Sequence, residues 1–327
     1  MDDRAEDEMT GKRLVLIAVS LALALSVCGC MPQEPALPGV LESETALKPK
    51  EEVFAEPEPV AEPEPMPVVT LSADEIGQGE YLILRLENAE NASVAGFSEE
   101  SHPFFAYNGA LYALIGTEPS ALPGDYVLTV TSDGKTLPVS VSVTEKTFDT
   151  QYLDVAYATL SDTLESKEAV AEFNEVLLPL FTAFTETPLW DGAFLHPLKA
   201  EYKVTTSYGT FRTFSNGSTE WHNAFDYAAK GGTGVFAAAD GKVLFAGFLK
   251  LTGNTVVIDH GCGVLTWYYH MRDLFVEKDA AVSAGDRIGT VGTTGLSTGN
   301  HLHFGVSVGG KLVDPRLFYE NPPEFDF

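Results

Sequence analysis

Along the chain the spacing of apolar positions changes repeatedly, and each change marks a different kind of segment. Leu14 to Val27 is an apolar run broken only by Ser20 and Ser26, and it directly follows Lys12 and Arg13. A basic stretch leading into an apolar run of this length reads as the n-region and h-region of a secretion signal. Residues 31–67 are the opposite, with nine Pro, nine Glu and repeated Glu-Pro pairs between Glu56 and Pro65. Such a segment lacks the apolar residues to fold alone. In an extended polyproline conformation at about 3.1 Å per residue it would reach roughly 100 Å, so it is expected to serve as a stalk.

From residue 68 to 147, short runs rich in Val, Leu, Tyr and Thr alternate with turn signals, among them Asn108-Gly109, Pro123-Gly124-Asp125 and Asp133-Gly134. This spacing predicts a small β-sandwich, with Asp125 to Val143 forming a hairpin about Asp133-Gly134. Between Asp149 and Phe184 the period moves towards 3.6, with Tyr152, Ala156, Leu160 and Leu164 on one stripe and Val170, Phe173, Leu177 and Phe181 on another. Two helices are expected there, the first capped by Asp149 and the second kinked or ended by Pro179, so that residues 148–193 make a helical connector. From Phe194 to the C-terminus the pattern returns to strands and glycine turns. The fold class is therefore mainly β: an N-terminal β-sandwich, a short helical connector and a C-terminal antiparallel β-sheet domain at 194–327.

Charge and cysteine content narrow the partners. The formal net charge is −27, but residues 201–327 hold 13 acidic and 10 basic residues, so the acidity belongs to the N-terminal part. A chain of this balance is not expected to bind nucleic acid, which needs Lys and Arg to displace phosphate counterions. The eight residues before Met9 are acidic for an n-region, which makes Met9 a candidate start. After the apolar run, Val27-Cys28-Gly29-Cys30 resembles a bacterial lipobox, with Cys30 behind Gly29 the expected acylated residue. An uncleaved membrane helix over Leu14 to Met31 is the alternative. Segment 1–30 is thus read as a signal peptide with lipobox. The remaining cysteine, Cys262, is expected to be a surface thiol at a hairpin tip.

Of the seven histidines, five lie between His222 and His303. In His222-Asn223-Ala224-Phe225-Asp226, an imidazole and a carboxylate four positions apart can converge on one ion, a pairing that suits zinc. In His301-Leu302-His303, strand alternation points both imidazoles into the same site, so that one can bind metal while the other moves a proton. In Thr266-Trp267-Tyr268-Tyr269-His270, the same alternation places Thr266, Tyr268 and His270 on one face. His102, His196 and His260 have no partner at informative spacing and are expected to be structural, His102 in a loop. The run Gly292 to Gly299 lacks the Lys-Ser/Thr of a phosphate cradle.

In this order, with Gly289 to Asn300 leading into His301, the motifs resemble the lysostaphin/LytM-type zinc endopeptidases of bacterial cell walls, over about Phe194 to Pro315. The Asp-Gly turn falls on Asp240-Gly241 and the closing Asp-Pro on Asp314-Pro315. Ala224 stands where the family usually has Gly, and Gly234 and Ala238 where it often has Pro. The resemblance implies one zinc ion held by His222, Asp226 and His303, with His301 and His270 as the catalytic histidines. His301 would act as base, and His270, assisted by Tyr268, would stabilise the oxyanion. It further implies hydrolysis of stem-peptide or cross-bridge bonds in peptidoglycan by metal-activated water; the lipobox adds tethering through lipidated Cys30 to the outer face of a bacterial membrane, and a monomer is expected. The alternative is a non-catalytic wall-binding or hydrolase-activating module on the same fold. On this reading residues 1–190 supply location and control, not chemistry.

Overall fold

The computed structural model describes residues 65–97, 100–154, 166–320 and 322–325. The apolar run, the lipobox and nearly all of the Pro/Glu segment lie outside the described residues. Among those residues, no helix is long and apolar enough to cross a membrane.

The first nine strands are β1 (Val68–Leu71), β2 (Glu75–Gly77), β3 (Tyr81–Glu87), β4 (Ala92–Ala95), β5 (Ser101–Pro103), β6 (Phe105–Tyr107), β7 (Ala110–Gly116), β8 (Gly124–Ser132) and β9 (Lys135–Thr144). They form a four-stranded sheet β1-β3-β7-β6 and a five-stranded sheet β2-β9-β8-β4-β5, as the β-sandwich pattern predicts. The β8–β9 turn has φ of 49° at Asp133 and 75° at Gly134, the paired positive values of a type I′ hairpin. Leu82, Leu84, Leu86, Val94, Leu128, Val130 and Val141 fill the space between the sheets. The other face of the four-stranded sheet is buried too. Ile83, Phe105, Tyr112 and Leu114 join the core of the C-terminal region, and Tyr112 Oη donates to Phe325 O at 2.7 Å.

The connector departs from expectation in its first half. Thr150–Leu153 is a strand, β10, and Tyr152 is 67% exposed, not part of a docking face. The periodic stripe was outweighed by an available strand: β10 runs parallel to β12 (Thr210–Phe214), with Phe211 N donating to Asp149 O and Ser215 N to Leu153 O. Ala156, Leu160 and Leu164 lie outside the described residues. The second helix is present as α1 (Lys167–Val176), capped by Ser166, whose hydroxyl accepts from Ala169 N at 3.3 Å. It ends before Pro179, which opens a short 3₁₀ turn over Leu178–Thr182. This segment covers one face of the C-terminal sheet. Leu177 packs with Leu249, Val257, Leu265 and Trp267, and the Phe181 ring stacks on Trp267 with centroids 4.3 Å apart.

The remaining strands are β11 (Lys203–Thr206), β13 (Thr219–His222), β14 (Phe225–Ala228), β15 (Gly234–Phe236), β16 (Gly241–Leu249), β17 (Gly253–Asp259), β18 (Val264–Leu274), β19 (Ala281–Val282), β20 (Arg287–Val291), β21 (His301–Val308) and β22 (Lys311–Val313), followed by the short helix α2 (Arg316–Glu320). Ten of them form one antiparallel sheet along β11-β14-β21-β18-β17-β16-β19, and β10-β12-β13 form a separate three-stranded sheet. Inward residues such as Val256, Ile258, Tyr268, Leu302, Phe304 and Val306 are sealed from solvent. The central strands β14, β21 and β18 are therefore held rigidly from both sides, and they carry the polar residues described next.

Candidate metal centre

Three of the predicted side chains meet at one point. His222 ends β13, Asp226 lies in β14 and His303 in β21, and the strand register sets Asp226 directly opposite His303. His222 Nε2 stands 3.0 Å from Asp226 Oδ1 and 3.1 Å from His303 Nδ1, and His303 Nδ1 is 3.0 Å from the same Asp226 oxygen. His222 Nδ1 faces Ser207 O at 3.2 Å. A carbonyl can only accept, so this nitrogen carries the proton and Nε2 keeps its lone pair. Three lone-pair atoms pointed at one another repel unless a proton or a cation sits among them, and two imidazoles with one carboxylate match the open, three-ligand zinc set. The donor chemistry therefore fits zinc.

His301 and His270 border this cluster. His301 shares its strand face with His303, and its Nε2 lies 3.7 Å from Asp226 Oδ1, while its Nδ1 donates to Gly299 O at 2.8 Å. His270 Nδ1 donates to Thr294 O at 2.9 Å, and the His270 and His301 ring centroids are 4.8 Å apart. Each histidine thus spends its Nδ1 proton on a loop carbonyl and leaves Nε2 as an acceptor. Burial pushes His270 down to about 3, helped by His301 and His303, and burial pushes His303 down to about 4 against the pull of Asp226. At Asp226, burial favours the neutral acid, yet the pull of the His222 and His303 imidazoles, effective whenever either ring carries a proton towards it, holds the carboxyl well below its usual range.

Strand alternation misplaces one expected residue. Tyr268 is sealed in the core, where its hydroxyl accepts from Ala238 N at 2.9 Å, so it cannot assist an oxyanion. Its neighbour Tyr269 faces the site instead, parallel to His303 at 5.1 Å between centroids and 1° between planes. The cause is a β-bulge. Between the pairs Val256–Tyr268 and Asn254–Met271, β18 holds one more residue than β17, and His270 takes φ of 60°. An inserted residue shifts the alternation, bringing His270 to the side that Tyr269 occupies.

The structural histidines and Cys262 are also settled by packing. His260 is fully buried, with Nδ1 donating to Asp240 O and Nε2 accepting from Thr266 Oγ1, each at 2.7 Å. His196 stacks on Tyr202 with centroids 4.5 Å apart. His102 is a buried residue of strand β5, not a loop residue. Cys262 is 2% exposed and its N–H donates to Thr185 O, because the connector folds over the hairpin tip that was expected to lie at the surface.

Two functional neighbours carried no sequence signal. Arg212 in β12 forms an ion pair with Asp226 Oδ2, and Gln151 in β10 accepts from Arg212 Nε at 3.3 Å. Gln151, Leu153, Arg212, Glu220 and the loop from Leu296 to Asn300 line the cleft over the histidines. Gln151 and Leu153 thus bring the segment before residue 190, expected to supply location and control, to the lining of the cleft. Neither residue forms a motif with the histidines; only strand pairing brings them there.

The model of peptidase family M23 matches residues 220–315. DD-carboxypeptidase/endopeptidase Mpg of Neisseria meningitidis is 45% identical over 94 residues, covering 29% of this chain and 22% of that protein. Peptidoglycan DD-endopeptidase ShyA of Vibrio cholerae is 34% identical over 120 residues, covering 36% of this chain and 28% of that protein. The match thus spans less than a third of either relative. A crystal structure of a peptidase M23 from Pseudomonas aeruginosa superposes with a TM-score of 0.55 at 23% identity, covering 74% of this chain and 94% of that one, a likeness of fold.

Proposed function

We propose that the peptidase family M23 domain at residues 220–315 makes this chain a zinc metalloendopeptidase that hydrolyses peptide bonds in bacterial peptidoglycan. The observation that carries this reading is the convergence of His222, Asp226 and His303 on one point, bordered by two further imidazoles free at Nε2. The names of the relatives from Neisseria and Vibrio supply the substrate class. Zinc held by the three ligands supplies Lewis acidity towards water and the scissile carbonyl. His301, anchored through Nδ1, accepts the proton of the attacking water at Nε2 and passes it to the leaving amine. His270, neutral and anchored in the same way, offers Nε2 as an acceptor to the attacking water, and its expected role as an oxyanion donor would require the other tautomer, with the proton moved from Nδ1 to Nε2. Tyr269 keeps the His303 ring in its plane.

The reading extends to location. Export through the Leu14 to Val27 run, acylation at Cys30 and a stalk over residues 31–67 place the domain outside the membrane, within reach of the wall. Fatty-acid labelling that persists in Cys30→Ala would refute that anchor.

The activity itself is tested by incubating the purified chain with intact peptidoglycan and analysing the soluble products by mass spectrometry. New amino and carboxyl termini within the peptides are expected, absent with a chelator and restored by zinc. Wall binding without any new termini would establish the alternative, a non-catalytic wall-binding module.

A further inference from the structure

We infer that Arg212, steered by Gln151, is a positioning residue of the metal centre: it takes one oxygen of Asp226 and leaves the carboxylate a single oxygen to offer a metal ion. The inference rests on the zinc reading of the site, and Arg212 and Gln151 lie outside the matched segment 220–315.

The three-stranded sheet sets up the contact. Its register aligns Gln151 of β10, Arg212 of β12 and Glu220 of β13 in one row across the strands, all lining the cleft. The guanidinium is then held at three corners. Nε donates to Gln151 Oε1 at 3.3 Å, Nη1 to Glu220 Oε1 at 3.4 Å, and Nη2 to Asp226 Oδ2. The side chain is only 13% exposed. A planar fork with each nitrogen engaged cannot swivel as a lysine ammonium can. Asp226 is consequently divided: Oδ2 belongs to Arg212, and Oδ1 alone faces His222 Nε2 and His303 Nδ1.

That division has a chemical consequence. A carboxylate free to turn can bind a metal through both oxygens and fill the position that water needs; one tied at Oδ2 cannot. Outer partners of this kind typically change metal affinity 10- to 100-fold. Gln151 makes the upstream strand part of the arrangement, because its carboxamide fixes the guanidinium from the side opposite Glu220.

The test uses the full chain and reads the metal instead of turnover. Zinc affinity by chelator competition and the visible absorption spectrum of the cobalt-substituted protein are compared for wild type, Arg212→Met, Arg212→Lys and Gln151→Ala. Arg212→Met is expected to weaken zinc binding about 10- to 100-fold and to shift the cobalt bands towards a higher coordination number. Arg212→Lys, whose ammonium can still reach Asp226, should recover most of the affinity. Gln151→Ala should move both readouts in the direction of Arg212→Met, by a smaller amount. Wild-type affinity and an unchanged spectrum in folded Arg212→Met overturn the inference. Should Arg212→Met fail to fold, the same unchanged result in Gln151→Ala overturns it. A wild-type chain that binds zinc yet leaves peptidoglycan intact counts against the peptidase reading alone, since these readouts follow the ion and not the substrate.

Discussion

His301 and His303 share one face of β21, yet His303 lies opposite Asp226 with Nδ1 3.0 Å from its Oδ1, while His301 lies opposite Ala228 with Nε2 3.7 Å from the same oxygen. On the proposed reading, one pleat repeat separates a ligand from a proton acceptor. His303→Ala should therefore lose zinc and stability together, because metal binding is linked to folding. His301→Ala should keep about one zinc per chain and lose roughly 10² to 10⁴ in turnover, the range of a positioned general base. Metal analysis and a wall-digestion assay on both variants decide it; zinc lost from His301→Ala and kept by His303→Ala would reverse the assignment.

The bulge at His270 separates the roles of two adjacent tyrosines. Tyr268→Phe leaves the buried Ala238 N–H without its acceptor, so about 1–3 kcal/mol of stability should be lost while zinc content and turnover stay near wild type. Tyr269→Leu removes the ring stacked on His303 and should weaken zinc binding by roughly 10-fold or more. Thermal melts with zinc titration check both. The opposite pattern would mean that plain alternation runs through the bulge.

Gly295 controls His270 from outside the strand. It has φ of +73°, and an added Cβ would lie 2.3 Å from Gly253 N and 2.7 Å from Leu251 O, so Gly295→Ala must push the loop outward. Thr294 O, which holds the His270 Nδ1 proton, moves with it. Turnover is expected to fall by up to about 10²-fold, as small misplacements can cost, with zinc retained.

His260 predicts how stability depends on pH. Burial lowers it to about 4 from an ordinary 6.5. Between those values the unfolded chain binds a proton that the folded chain refuses, so its contribution is complete above about pH 6.5 and is lost as pH falls towards 4. The loss is on the order of 3 kcal/mol for a shift of this size. His260→Gln can still donate to Asp240 O and accept from Thr266. It should be less stable at neutral pH but show a flatter decline between pH 7 and 4.5 in denaturant titrations. An equally steep decline would show that other groups govern the acid limb.

Much of the molecule was legible in the residue pattern because the relevant physics is local. Period-two alternation and turn dipeptides determined the β-sandwich hairpin about Asp133-Gly134 and the strand His301–Val308. Pro179 marked the end of α1, and the spacings His222 to Asp226 and His301 to His303 marked side chains that the structure brings close together. What local pattern does not contain is pairing between distant strands. Whether Thr150–Leu153 became helix or strand depended on an edge offered by β12, some 60 residues later in the chain. Whether Tyr268 or Tyr269 faced the His303 side of the sheet depended on one extra residue in β18 relative to β17, which no single strand reveals. The burial of Cys262 and the reach of Gln151 and Arg212 to Asp226 likewise required segments to fold over one another. The sequence by itself determined which chemical groups this protein brings to its cleft; tertiary pairing decided which of them touch, because register and bulges are properties of two strands together.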